Sequence, residues 1–176
     1  DAADLAVRSA EEAVGLADVA EVDATSAALA RVILARALIL AHRTDDARTH
    51  VERALVEAQA ARSPGLEVEA LTTAAFLAEL EGDRDVATQR LGSALRLAKS
   101  ERDLAAELRA HYALASLHYY NGDIEGSLPV LKAAVARATE SGLRWSSHGV
   151  ELRLLHAIAL YLTGDLDGSL QAAEMF

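Results

Sequence analysis

Apolar and polar residues follow each other along this chain with the period of an α-helix. Residues 105–120 are mostly apolar, and residues 124–141 carry apolar side chains at helical spacing on one side. Similar pairs of stretches occur before and after these two, each stretch about 15 to 20 residues long. Short polar segments separate the stretches. This pattern predicts an all-α protein built from pairs of helices.

The polar segments between paired helices recur at a regular interval. They are the segments 42–46 (HRTDD), 81–85 (EGDRD), 121–125 (NGDIE) and 163–167 (TGDLD). The small residues that follow them, at intervals of 40, 40 and 42 positions, are Ala47, Ala87, Ser127 and Ser169. A fixed interval of this size is typical of stacked structural repeats.

Residues with special backbone preferences mark the helix ends. Three glycines suit the left-handed backbone that ends a helix, and these are Gly82, Gly122 and Gly164. The natural N-caps of the following helices are Asp83, Asp123 and Asp165. Pro64 fits a first helical position, and Ser100 with Asp103 has the spacing of a capping box. The chain is therefore expected to be an αα-hairpin superhelix with a period of about 40 residues.

These signals divide the chain into repeats. The expected boundaries are residues 1–22 for the end of a leading repeat, 23–63, 64–100 and 101–142 for three full repeats, and 143–176 for a truncated fourth repeat. We interpret the whole as one helical repeat domain cut from a longer protein.

The amino-acid composition limits the classes of function that this chain is expected to have. The 176 residues include 39 Ala and 28 Leu, which favour helices, whereas aromatic residues make up 4%. The net charge of -10 predicts no direct contact with nucleic acid. Cys is absent, and no apolar run is long enough for a membrane span. We expect a cytoplasmic protein without a membrane partner.

No pattern of residues predicts catalysis. The chain lacks a P-loop, a G-x-S-x-G motif and an H-E-x-x-H motif. Its closest histidines on one helix face, His111 and His118, are seven positions apart, whereas helical zinc ligands are usually three or four apart. The sequence therefore predicts no enzyme activity, no metal site and no cofactor.

The repeated pattern resembles the tetratricopeptide repeat. That repeat has a large and then a small residue in its first helix, Gly-Asp at the turn, and small, large and small residues in its second helix. In residues 101–142 these are Leu114, Ala115, Gly122, Asp123, Ser127, Leu131 and Ala134. The interval of about 40 is longer than the usual 34.

The longer interval, the Ala, Leu and Arg richness and segment 161–173 (YLTGDLDGSLQAA) are similar to one family in particular. This family comprises the large ATP-binding transcriptional regulators of the LuxR class, typified by the maltose-operon activator. That resemblance implies a non-catalytic sensor and protein-interaction domain of a bacterial regulator. The alternative is a general scaffold domain for protein interaction, unrelated to transcription.

The resemblance also implies a binding surface. In such repeats the first helix of each hairpin lines a concave face, along a stripe with steps of three and four residues. Carried onto this chain, the stripe includes aromatic, arginine and glutamate side chains suited to a protein, a peptide or a small effector. The expected binding residues are Arg36, Phe76, Glu79, Arg109, Tyr112, Ser116, Tyr119, Glu151 and Tyr161.

The same stripe carries apolar residues, and the tyrosines have a second interpretation. Leu29, Val32 and Ile39 lie on its first part and are expected to be covered by neighbouring domains of the same protein. The tyrosines could also fill gaps between packed helices instead of binding a ligand.

Overall fold

The computed structural model describes residues 2–19 and 22–173, and in these ranges the chain forms helices and no strand. This confirms the prediction of an all-α protein built from TPR-like αα-hairpins. The helices are α1 (Ala2–Val19), α2 (Ala24–Leu40), α3 (Thr44–Ala60), α4 (Pro64–Leu80), α5 (Arg84–Ser100), α6 (Leu104–Tyr120), α7 (Ile124–Glu140), α8 (Ser147–Leu162) and α9 (Leu166–Ala173). Among the described helices, none is long and apolar enough to cross a membrane.

The 40-residue interval comes from helices and junctions of constant length. Each helix from α2 to α7 has 17 residues, and three residues join each of these helices to the next. Two helices with their two junctions therefore repeat after 40 positions. The junction between α7 and α8 is longer, residues 141–146, and this explains the wider last interval. Residue 1, residues 20–21 and residues 174–176 of the expected repeats lie outside the described residues.

Every junction from α2 onward contains one residue with a positive φ angle. These residues are His42, Arg62, Gly82, Arg102, Gly122, Gly142 and Gly164, so that the first six follow each other every 20 positions. The left-handed backbone turns the chain and lets the next N–H bond back into the preceding helix. The Asp123 N–H, for example, donates to the His118 carbonyl at 2.9 Å. The predicted conformations of Gly82, Gly122 and Gly164 are confirmed.

Helix starts agree with the predicted caps, with one exception. The carboxylates of Asp83, Asp123 and Asp165 accept from the backbone N–H three residues on, at 2.9 to 3.1 Å. Pro64 occupies the first turn of α4. The predicted capping box is wrong: Ser100 lies inside α5 and donates to the Leu97 carbonyl, while Asp103 alone caps α6.

The helices form two compact units, Asp1–Glu101 and Arg102–Phe176, called here the first and second unit. In the first unit small and branched side chains such as Ala28, Val51 and Leu66 are buried between α1, α2, α3 and α4. In the second unit Leu108, Leu131 and Leu152 are buried between α6, α7 and α8. Alanine at many buried positions allows close approach of neighbouring helices.

A buried arginine joins three helices of the first unit. The Arg31 guanidinium on α2 is 2% exposed. Its Nε donates to both carboxylate oxygens of Glu57 on α3 at 2.9 Å, and its Nη2 donates to Asp18 on α1. Arg53 pairs with the same two acids, Glu57 at 3.0 Å and Asp18 at 3.5 Å. Two cations and two anions therefore compensate each other at this point.

Candidate functional site

The predicted binding residues lie in both units. The first unit contains the first-unit patch, which is Arg36, Phe76 and Glu79 on helices α2 and α4. The second unit contains the second-unit patch, which is Arg109, Tyr112, Ser116, Tyr119, Glu151 and Tyr161 on helices α6 and α8. That both patches belong to one concave face stays a prediction.

A cleft opens between α2 and α4 beside the first-unit patch. Its volume is about 280 Å³, and its lining residues are Arg36, Ile39, Leu40, Thr72, Thr73 and Phe76. Phe76 is half-exposed and Leu40 is largely exposed, so both form the edges of the cleft. The structure thus brings Arg36 and Phe76 together, 40 positions apart in sequence and at equivalent places of two repeats.

The polar groups of this cleft bond to each other. Arg36 Nε donates to Thr73 Oγ1 at 3.0 Å, and Arg36 Nη1 lies 3.5 Å from Glu69 Oε2. The hydroxyls of Thr72 and Thr73 donate to the Glu69 carbonyl at 2.9 and 2.8 Å. The Arg36 side chain is therefore held in place on one side of the cleft, and its charge is partly neutralised by Glu69.

Glu79 lies one helical turn beyond Phe76 on α4, at an intermediate exposure. Burial raises the pKa of its carboxyl group, and the charge of Arg84 opposes that rise. No ion pair or hydrogen bond joins Glu79 to another residue in the part of the chain that the structure describes. Its negative charge is thus partly dehydrated, and Arg84 compensates it only in part and without direct contact.

Part of the predicted stripe in the first unit is wrong. Val32 and Ile39 are buried, at 0% and 5% exposure, because α4 packs across this side of α2. A partner domain is therefore not needed to cover them. Leu29 is exposed as the stripe predicts.

The second-unit patch contains a chain of hydrogen bonds that sequence reasoning missed. Arg109 Nε donates to His148 Nε2 at 3.4 Å, and His148 Nδ1 lies 2.8 Å from Glu151 Oε2. A His148 that accepts at Nε2 carries its proton at Nδ1, from which it donates to Glu151. His148 thereby joins α6 to α8. Its spacing of three residues from Glu151 on α8 was the available sequence signal.

The tyrosines of this patch differ in their surroundings. The Tyr112 ring lies 6.0 Å from the His148 ring, centroid to centroid. Burial raises the pKa of Tyr112, and the nearby Ser116 hydroxyl on the same helix offsets part of that rise. Tyr119 meets the exposed Tyr120 edge to face at 5.3 Å. Tyr161 is exposed at the end of α8.

This arrangement can hold a ligand by shape, stacking and charge. His148 bonds through both ring nitrogens, to Arg109 on α6 and to Glu151 on α8, and it thereby orients the Arg109 side chain. Within residues 2–19 and 22–173, no group of three or more His, Asp or Glu side chains is placed to bind a metal ion.

The comparisons with known proteins bear on the fold. No protein-family model matches the chain, and no curated protein matches it. Among solved structures, a kinesin light chain protein of Podosopora anserina with nearly identical TPR-like repeats has a TM-score of 0.70 at 16% identity, over 98% of this chain and 84% of its own. BtubC (BKLC) of P. vanneervenii has a TM-score of 0.80 at 18% identity, over 99% and 72%.

A third similar structure is aspartyl phosphate phosphatase F of Bacillus subtilis, with a TM-score of 0.73 at 18% identity. The match covers 94% of this chain and 42% of the phosphatase chain. At these identities the similarity shows the fold alone. The chain has the fold of TPR-like helical repeat proteins.

Proposed function

We propose that this chain is a non-catalytic interaction domain that binds a segment of a protein partner, or a small effector, with the second-unit patch as the main binding surface and the first-unit patch as a separate one. The main support is the second-unit patch, where Arg109 and Tyr112 are partly exposed, Arg109 donates to His148, and the Tyr112 ring lies beside the His148 ring. Arginine and tyrosine are the side chains that most often dominate binding energy at interfaces. Side chains that are already fixed lose little conformational entropy when a ligand binds.

The similar structures support an interaction role in general terms. Repeat proteins of stacked hairpins offer extended surfaces, and this chain shares their fold. The name of the Bacillus subtilis protein describes a phosphatase, yet 18% identity transfers no activity to this chain. Its fold similarity is therefore compatible with a binding role here.

A peptide selection tests the proposal. A displayed library of short random peptides is panned against the whole 176-residue chain, and the affinity of the selected peptides is measured by fluorescence anisotropy. Arg109→Ala, Tyr112→Ala and Tyr119→Ala are each expected to weaken binding by about 30-fold, equivalent to about 2 kcal/mol.

The matched control is Glu140→Ala, an exposed residue at the end of α7 outside both patches. It is expected to leave the affinity unchanged, and every variant is first shown to melt cooperatively. If no peptide is selected, or if all selected peptides bind the three patch variants as tightly as the parent chain, the proposal is wrong.

The setting of the domain is a further part of the proposal. We place it in a bacterial transcriptional regulator of the LuxR class, on the strength of its Ala, Leu and Arg richness and its 40-residue interval. The sequence that flanks this chain in its gene is the test. An ATPase module before it and a helix-turn-helix after it are expected, whereas other flanking domains would favour the general scaffold.

A further inference from the structure

The cleft between α2 and α4 presents an apolar surface to a ligand. Its guanidinium and hydroxyl groups already bond to each other or to Glu69, as described above. A polar ligand would have to break these bonds, which removes much of its gain. The remaining lining is apolar: Leu40 and the ring of Phe76 are exposed and gain most from apolar contact, whereas Ile39 is already buried.

The size of the cleft indicates one or two side chains as its occupant. Sites for drug-sized molecules usually measure about 300 to 1,000 Å³, and they enclose most of the ligand. This cleft is smaller, at about 280 Å³, and it is open at the edges formed by Leu40 and Phe76. A side chain that projects from a peptide backbone fits such an opening better than a whole effector molecule.

The negative charge of Glu79 next to the cleft indicates which kind of residue in the ligand would lie beside the apolar side chain. Glu79 lies one turn from Phe76 and makes no ion pair or hydrogen bond among the described residues, and the charge of Arg84 compensates it only in part. The chain as a whole carries a net charge of -10. A lysine or arginine beside the inserted side chain would compensate the partly dehydrated Glu79 carboxylate.

We propose that the cleft receives an apolar side chain, of the size of leucine, from a partner peptide in which a lysine or arginine is the next residue and pairs with Glu79. This rests on the proposed function and specifies its ligand. Arg36 then acts as a wall of the cleft, and it does not bind a carboxylate of the ligand.

Small peptide probes test the cleft directly by NMR titration of the whole chain. The probes are acetyl-Leu-Lys amide, acetyl-Leu-Glu amide, acetyl-Ser-Lys amide and sodium acetate. Acetyl-Leu-Lys amide is expected to shift the methyl signals of Ile39 and Leu40 in a saturable way. It should bind about two- to fivefold more tightly than acetyl-Leu-Glu amide, the usual gain from one exposed ion pair.

Four variants separate the contribution of the cleft from that of Glu79. Phe76→Ala is expected to abolish the saturable shifts, whereas Leu80→Ala is the matched control because Leu80 is equally exposed on α4 outside the cleft. Glu79→Gln is expected to keep binding of the leucine side chain but to make the Lys and Glu probes equivalent. Leu40→Ala provides a second cleft variant in case Phe76→Ala lowers the melting temperature.

Several results would overturn the proposal. They are equal binding of acetyl-Leu-Lys and acetyl-Ser-Lys amides, equal binding of the Lys and Glu probes to the parent chain, or saturable shifts of the Arg36 side-chain signal by acetate alone. If the library peptides depend on Arg109 and Tyr112 but not on Phe76, this inference fails while the proposed function stands. If the library yields no peptide, the proposed function fails independently of the cleft titration.

Discussion

Single residues with a left-handed backbone set the direction of each junction from α2 onward, and the energetic cost of that conformation depends on the residue. Glycine adopts this conformation without strain, as at Gly82 and Gly122. A residue with a Cβ atom pays roughly 1 to 2 kcal/mol for it, and the chain has Arg62 and Arg102 in such positions. The packing of α3 against α4 holds Arg62 in this unfavourable conformation.

A pair of glycine substitutions isolates this backbone cost. A Cβ atom at Gly122 or at Gly15 would meet no neighbouring atom within 4 Å, but only Gly122 has a positive φ, at 78°. Gly122→Ala is expected to lower the free energy of unfolding by about 1 kcal/mol. Gly15→Ala, inside α1, is expected to raise it by about 0.5 to 1 kcal/mol. Urea unfolding of both variants provides the measurement, and effects of the same sign would contradict the explanation.

The sequence predicts left-handed residues only where it contains glycine. Gly82 and Gly122 were predictable because Gly-Asp is a familiar turn signal. Arg62 and Arg102 were not, because arginine has no preference for this conformation and the 20-residue spacing of junctions becomes visible only in the structure. For the same reason Ser100 was assigned to a cap, whereas α5 continues through it.

At the scale of helices, the Arg31 network occupies positions at which the next repeat has apolar residues. The positions 40 residues after Arg31 and Glu57 are Leu71 and Leu97. Equivalent positions of two repeats therefore hold either an ion pair or two leucines. Removing one charge from a buried pair is costly, because the other charge loses its compensation.

A double-mutant cycle on this pair follows from that equivalence. Arg31→Leu alone is expected to lower the free energy of unfolding by about 3 kcal/mol, because Glu57 then keeps only the exposed Arg53. Adding Glu57→Leu is expected to restore stability to within about 1 kcal/mol of the parent chain. Thermal and urea unfolding measure the cycle, and a double variant less stable than Arg31→Leu would contradict the prediction.

An exposed ion pair serves as the control for the cycle. Arg48 contacts Glu81 at 2.5 Å, but its side chain is half-exposed. Arg48→Leu is expected to cost less than about 1 kcal/mol, since water solvates both partners when they separate.

The chain is expected to lose stability in mild acid because two histidines on different helices have lowered pKa values. Burial lowers the pKa of His50 on α3, helped by the charge of Arg31, and burial also lowers the pKa of His156 on α8, helped by Lys132. The unfolded chain then binds protons near pH 6.5 before the folded chain does, so stability falls as the pH drops through 6.5 towards the folded pKa values.

The free energy of unfolding is therefore expected to decrease between about pH 7 and pH 5, and to decrease less in His50→Gln and in His156→Gln. The Glu79 carboxyl group has the opposite effect: because its pKa in the folded chain is raised above 4.5, its protonation in acid favours the folded state. Glu79→Gln removes this effect on stability. Urea unfolding across this pH range is the measurement. An unchanged slope in both histidine variants would refute the assignment.

The binding stripe shows how far periodicity predicts a surface. The stripe placed Arg36 and Phe76 at equivalent repeat positions, and both line one cleft. It also placed Val32 and Ile39 on the surface, because spacing along one helix does not show where the next hairpin will pack. His148 was missed for a related reason: its role depends on a contact between α6 and α8 that no local pattern encodes.

At the scale of the whole molecule, the charge balance determines which partners can approach. The net charge is -10, and many of the cations are already paired with acids. The arginines in ion pairs with Asp or Glu include Arg31, Arg36, Arg43, Arg48, Arg53, Arg90 and Arg137. A paired arginine that contacts phosphate must give up its acid partner, so the remaining cations offer little gain from counterion release.

The chain is therefore expected to leave duplex DNA unshifted in an electrophoretic assay at physiological salt. The protein concentrations used are those at which nonspecific binders, with Kd values of about 10⁻⁴ to 10⁻⁶ M, are detected. A basic DNA-binding domain of similar size serves as the positive control. Lowering the salt should increase binding of the control strongly and of this chain little, because the salt dependence scales with the number of neutralised phosphates. Tight binding that weakens steeply with added salt would show that unpaired cations form a phosphate-binding surface. If the parent protein regulates transcription as proposed, its contact with DNA must then come from another domain, and this chain contributes recognition of the partner.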